Sequence, residues 1–299
     1  MRFRKPVIGI ALAGGGAKGI AHIGFLEVLI ENGIPIDIIS GTSIGGVIGA
    51  AFALEPNIEK LKHKIHTLVE SDVYRNLKLN RFKATEEDNW FDRVRNRLRR
   101  SLSFAEAATS PSLVPEIAVI RLFEELFDDK TFEETKLPFA AVALDLVSGE
   151  DVLFSEGLIR NAVRASTAIP GIFPTVKIDG KILVDGGVTA NAPVMAAKRM
   201  GADIVISVIF GYEPSPPGKL ESSIDVILRG DELAKLKLFR MLIEKADYVV
   251  EIRAGNTHWT DFGMYDELID IGKNAAIKHL DKLKRISSRN MFRRLFNFR

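Results

Sequence analysis

Three short segments carry residue types and spacings that can do chemistry. Gly41-Thr42-Ser43-Ile44-Gly45 is a GxSxG in which the glycines free the backbone for a sharp turn and leave the serine hydroxyl exposed at its tip. That is the setting of a nucleophilic serine, with the helix N-terminus beneath it aimed at a developing oxyanion. Gly14-Gly15-Gly16-Ala17-Lys18-Gly19 satisfies GxGxxG. A dinucleotide site would want an acid closing the second strand to hold the ribose hydroxyls. Here Asp37 opens that strand and Ser40-Gly41 closes it, so the loop reads instead as a nest of N–H groups facing Ser43, an oxyanion hole. Asp185-Gly186-Gly187 follows a short apolar run; on its own it reads first as an Asp-Gly turn and only second as a site acid at a strand end.

A serine nucleophile needs a base. The five histidines are His22, His63, His66, His258 and His279, and none sits in a distinctive motif. His258 lies in a loop from which it can reach a site, whereas His22, just inside the first helix, reads as readily as a packing residue as a base. No paired-histidine spacing points to a metal, and the absence of cysteine removes thiolate ligands and a thiol nucleophile, so no metal or other cofactor is expected.

The elements around these segments alternate. Val7–Ala13 reads as a buried strand, Ile20–Glu31 as a helix, Ile36–Ser40 as a strand and Ile44–Leu54 as a buried helix. The alternation resumes with strands at Phe139–Val147 and Asp151–Ser155, a helix at Gly157–Ala165, a hairpin of Val176–Asp179 and Lys181–Val184, a short helix at Pro193–Met200 and a strand at Asp203–Phe210. A long helix over Ser222–Lys245, a strand over Ala246–Arg253 and an amphipathic helix over Asp266–Leu283 follow. This order predicts an α/β fold on a mainly parallel sheet. Residues 55–138 have helical periodicity without a core strand and are expected to form a helical lid insert.

Together, stretches 11–29, 37–50 and 164–194 resemble the patatin-like phospholipase family in order, spacing and flanks. The resemblance implies a three-layer α/β/α sandwich and a Ser–Asp dyad that cleaves acyl esters of phospholipids or lysophospholipids. Ser43 would be the nucleophile, Asp185 the base and the Gly14, Gly15 and Gly16 amides the oxyanion hole. Lys18 fills the family's basic loop position, and Gly19, Gly41, Gly45, Gly186 and Gly187 support the motifs. Pro170 and Pro174 fall in the proline-bearing stretch before the acid. A His-assisted serine esterase or thioesterase, and a non-catalytic surface-binding protein on the same fold, are the competing readings.

The formal charge of +2 hides an asymmetry. Residues 75–104 carry +5 and residues 282–299 carry +7, which leaves −10 on the other 251. Within 91–104, Phe91, Val94, Leu98 and Leu102 form one stripe among five arginines; in 286–299, Phe292, Leu295 and Phe296 share a face among Arg289, Arg293 and Arg294. Basic amphipathic segments of this kind suit an anionic membrane surface. The expected organisation is a catalytic domain over 1–285 and a basic tail over 286–299. No signal peptide or membrane span is expected: the longest uncharged run, Ile38–Leu54, is interrupted by four glycines. The expected partners are a lipid ester and the membrane surface rather than a specific nucleic acid, and the expected location is cytoplasmic, with peripheral contact at the inner membrane face.

Overall fold

The computed structural model describes residues 4–82, 112–211, 213, 220 and 222–288. Eight strands form one sheet: β1 (Ile8–Leu12), β2 (Ile38–Thr42), β3 (Phe139–Asp145), β4 (Asp151–Phe154), β5 (Val176–Ile178), β6 (Lys181–Asp185), β7 (Ile204–Phe210) and β8 (Tyr248–Ile252). β3, β2, β1, β7 and β8 run parallel in that spatial order. β4 and β6 are antiparallel to β3, and β5 is antiparallel to β6.

The central strands are apolar throughout because helices cover both faces. Side chains alternate with period two. Ile8, Ile10 and Leu12 of β1 and Ile206 and Val208 of β7 enter one core with α1 (Ala21–Glu31), α2 (Ile44–Leu54), α3 (Ile58–Glu70) and, beyond the short α4 (Asp72–Arg75), α5 (Glu116–Phe127). Ala11, Val205 and Ile209 enter the other. After α6 (Ile159–Ser166), which packs on β3 and β6, that second face is covered by α7 (Val194–Arg199) and α8 (Ser223–Ile243). The final helix, α9 (Tyr265–Ser287), returns to the first face against α1. The result is the expected α/β/α sandwich.

The described part of 55–138 contains no strand. Its helices bury Leu61, Ile65, Val119, Phe123 and Phe127 in the first core. The Phe82 ring packs at a tilt against that of Trp259, with ring centroids 5.9 Å apart. Leu113 and Val114 donate to the Ile172 carbonyl at 3.1 and 2.9 Å. The amphipathic segment 91–104 and tail residues 289–299 lie outside the described residues.

One feature of the pairing sets up the site. Val142 of β3 pairs with Thr42 of β2 and Leu153 of β4, and Ala143 pairs with Val152 of β4 and Asp185 of β6. β4 therefore occupies one edge of β3, while β2 and β6 share the other and run at each other end to end. The C-terminal ends of two strands distant in sequence arrive at adjacent rungs of the same ladder.

Candidate active site

Ser43 follows β2 directly and caps the N-terminus of α2. Its backbone sits at φ 53° and ψ −126°. That conformation is costly for a side-chain-bearing residue, of order 1–3 kcal/mol, and must be held by its surroundings. The glycines let the strand and helix close on each other: a Cβ on Gly41 would stand 2.3 Å from the Gly45 carbonyl oxygen, and one on Gly45 2.1 Å from that of Leu12. Hydrogen bonds hold the rest. The Ser43 N–H donates to Ser166 Oγ at 2.9 Å, and the Ser166 hydroxyl donates to the Val142 carbonyl at 2.6 Å. The Ser43 carbonyl accepts from the Gly46 and Val47 N–H groups at 2.8 and 3.1 Å. The neighbouring Thr42 hydroxyl donates to the Ala190 carbonyl at 2.8 Å.

Asp185 is the last residue of β6, and the Ser43 side chain is near enough to its carboxylate to favour the charged form. Its N–H donates to the Ala168 carbonyl at 2.9 Å, and Oδ1 accepts from the Gly187 N–H at 2.6 Å. The residue is buried, and burial pushes its carboxyl up to about 6 from an ordinary 3.8. The Ser43 side chain and the bond from Gly187 oppose that rise. Gly186 allows the turn to lie on the Val142 carbonyl, and Gly187 faces the side chain of Asn191.

The glycine loop lies on the other side of Ser43. Gly14 packs on the Ser43 Cβ, and its N–H donates to the Asn191 carbonyl at 3.2 Å. The Gly15 and Gly16 N–H groups have no acceptor among the described residues. Gly16 has φ +59° and lies against the Trp259 carbonyl, which accepts from Ala17 N–H at 2.7 Å. The Phe210 ring backs Gly15. Lys18 is half-buried in the following turn, and Gly19 lies under Ile44.

No histidine is bonded to Ser43. His22 is fully buried, with Nε2 bonded to the Ala13 carbonyl at 2.8 Å and its ring 4.7 Å from that of Phe210. Burial lowers its pKa to about 4, against the pull of that carbonyl, so the ring is neutral at pH 7. Nδ1 of the buried His258 meets the Thr260 hydroxyl at 2.5 Å. His63 and His66 are exposed on α3, and His279 bonds Tyr248 at 2.6 Å. Ser166 and Asn191, within stretch 164–194, and Trp259, outside all three stretches, are site neighbours to which sequence reading assigned no role: each acts through a contact more than a hundred residues away in the chain.

A family model described as patatin-like phospholipase matches residues 10–198, a span that contains Ser43, Asp185 and the glycine loop. The chain belongs to the patatin-like phospholipase family. This patatin-like chain is 26% identical over 300 residues to patatin-like phospholipase domain-containing protein 7 of Rattus norvegicus, covering 89% of the chain but 20% of that relative. It is 29% identical over 221 residues to an uncharacterized NTE family protein of Mycobacterium bovis, covering 74% of the chain and 54% of that protein. The chain thus spans between a fifth and about half the length of these relatives. Among solved structures, VipD from Legionella pneumophila aligns at 16% identity and a TM-score of 0.47 over 93% of this chain and 67% of that one.

Proposed function

We propose that this protein hydrolyses acyl esters of lipids, phospholipids or lysophospholipids, through a Ser43–Asp185 dyad. The observation that carries the reading is the buried Asp185 carboxylate beside a serine in a strained elbow, with no histidine bonded to that serine. Family membership supports the substrate class. In the first step Asp185 takes the Ser43 hydroxyl proton as Oγ attacks the ester carbonyl carbon. The resulting oxyanion faces the unpaired Gly15 and Gly16 N–H groups and the N-terminus of α2. Asp185 returns the proton to the departing alkoxide, leaving an acyl-enzyme. Water, deprotonated by Asp185, then attacks the acyl carbon, and Ser43 recovers its proton as the fatty acid leaves. Loss of an oxyanion donor typically costs 10²–10³ in kcat.

The basic segments 91–104 and 286–299 would bring the enzyme to an anionic lipid surface. Binding to anionic vesicles that survives removal of both sets of charges excludes this role. No helix among the described residues is long and apolar enough to cross a membrane.

The test of the dyad is turnover of a chromogenic short-chain ester and a panel of lipid classes by purified protein. Ser43→Ala and Asp185→Asn each abolish it. Turnover retained in Asp185→Asn but lost in His258→Ala overturns the dyad in favour of a histidine base.

A further inference from the structure

His22 is a buried titratable side chain that the dyad does not use. It is the second residue of α1 and is fully buried. Its Nε2 meets the Ala13 carbonyl at 2.8 Å. A carbonyl only accepts, so Nε2 carries the proton and donates. Nδ1 has no partner among the described residues. The neutral ring protonated at Nε2 fits this setting, because a proton on Nδ1 would be a buried donor without an acceptor.

The carbonyl it holds begins the glycine loop. Ala13 N–H still extends the ladder from β1 to β7, donating to the Val208 carbonyl at 3.0 Å, but the Ala13 carbonyl goes to His22. The same peptide group ends in the Gly14 N–H, which donates to the Asn191 carbonyl at 3.2 Å. A trans peptide is planar, with its C=O and N–H on opposite edges, so this plane is held from both sides. Further on, the Ala17 N–H is held by the Trp259 carbonyl at 2.7 Å. The Gly15 and Gly16 N–H groups lie between these two fixed peptides and have no acceptor among the described residues. The Phe210 ring joins His22 to the loop a second time: it lies 4.7 Å from the imidazole, and a Cβ on Gly15 would stand 2.6 Å from its Cδ2. Asn191 and Trp259 act through backbone carbonyls, whereas His22 acts through a side chain that substitution can change.

We infer that His22 is a positioning residue for ester hydrolysis: by donating from Nε2 to the Ala13 carbonyl it fixes the peptide plane ahead of Gly15 and so sets the direction of the loop amides. The inference rests on the reading, proposed above, that the Gly15 and Gly16 amides receive the oxyanion. Three consecutive glycines have the widest backbone freedom a chain can have, and unheld they would spread those N–H groups over many directions. Donors fixed before the reaction need no reorganisation as charge develops. His22 acts through the Ala13–Gly14 peptide and is not bonded to Ser43. Its contribution is therefore to the transition state, and losing it lowers kcat while leaving KM in place.

The test compares His22→Phe with His22→Gln in the full chain on a chromogenic short-chain ester. Phe fills the ring's place beside Phe210 but offers no donor. Gln loses the ring but can bring an N–H to the Ala13 carbonyl. His22→Phe is expected to lose about 10- to 100-fold in kcat with KM changed by no more than about two-fold. His22→Gln is expected to recover most of that loss. A Phe variant with wild-type kcat overturns the inference, as does a Gln variant no better than Phe, which is the order that packing alone would give. A loss that falls on KM instead of kcat also overturns it. Nitrogen NMR of the histidine-labelled wild type needs no variant to fold for its reading: His22 is expected to show a protonated Nε2 and a bare Nδ1 at pH 7, and a protonated Nδ1 overturns the inference. The dyad is judged separately. Turnover retained in Asp185→Asn removes Asp185 as the base, while the Phe and Gln comparison reads the loop whichever group takes the serine proton.

Discussion

Replacing Asp185 with Asn separates the stability of the site from its chemistry. Asn keeps the shape of the side chain and can still accept from the Gly187 N–H, but it carries no charge and is no base. In the wild type, burial raises the folded-state carboxyl to about 6, above the ordinary 3.8 expected of the unfolded chain. A raised value means that folding favours the protonated form, so the group's stabilising contribution is complete below about pH 4 and is lost as pH rises through about 6. The gap corresponds to about 3 kcal/mol at ~1.36 kcal/mol per pH unit. The Asn variant escapes that loss. Denaturant unfolding of the two proteins is therefore expected to give a stability difference that grows from pH 4 to pH 7 in favour of Asn, levelling off near 3 kcal/mol. Titrations elsewhere in the fold cancel in the difference. Hydrolysis follows the opposite course: it needs the ionised form, so the wild type at pH 5 keeps about a tenth of its plateau rate and the Asn variant shows none. A stability difference that stays flat across pH, or a variant less stable than wild type at pH 7, would refute the claim that the dyad carboxylate is held ionised against burial.

Ser166→Ala removes the hydroxyl between the Ser43 N–H and the Val142 carbonyl, leaving two buried backbone groups unpaired. A loss of about 1–3 kcal/mol in unfolding free energy and a fall in kcat larger than any change in KM are expected. Gly41→Ala puts a methyl into the Gly45 carbonyl, so both melting temperature and turnover drop, with no recovery at high substrate. His258→Ala is expected to leave kcat within a few-fold and its pH profile unmoved, because that ring bonds Thr260 rather than Ser43.

Local pattern carried most of this fold. The alternating apolar strands β1 and β7, the turn glycines and the Asp185 turn are all visible in neighbouring residues, and they stand where periodicity and turn chemistry put them. Strand β2 runs Ile38–Thr42 rather than Ile36–Ser40, because parallel pairing with β3 continues through Gly41 and Thr42. What pattern could not show was created by distant pairing. That Ser43 and Asp185 meet depends on β2 and β6 sharing one edge of β3. That Ser166 braces the elbow depends on α6 packing over the same rungs. Gly14 is the instructive residue: its motif suggested a free amide, but Asn191 supplies the carbonyl that takes it.

The most direct test of the dyad is covalent capture of its nucleophile. A fluorophosphonate incubated with the intact protein, followed by peptide mass spectrometry, is expected to place one adduct on Ser43, at a rate that rises with pH through about 6 and vanishes in Ser43→Ala and Asp185→Asn. An adduct on another residue, or labelling of Ser43 that is undiminished in Asp185→Asn, would contradict the Ser43–Asp185 mechanism.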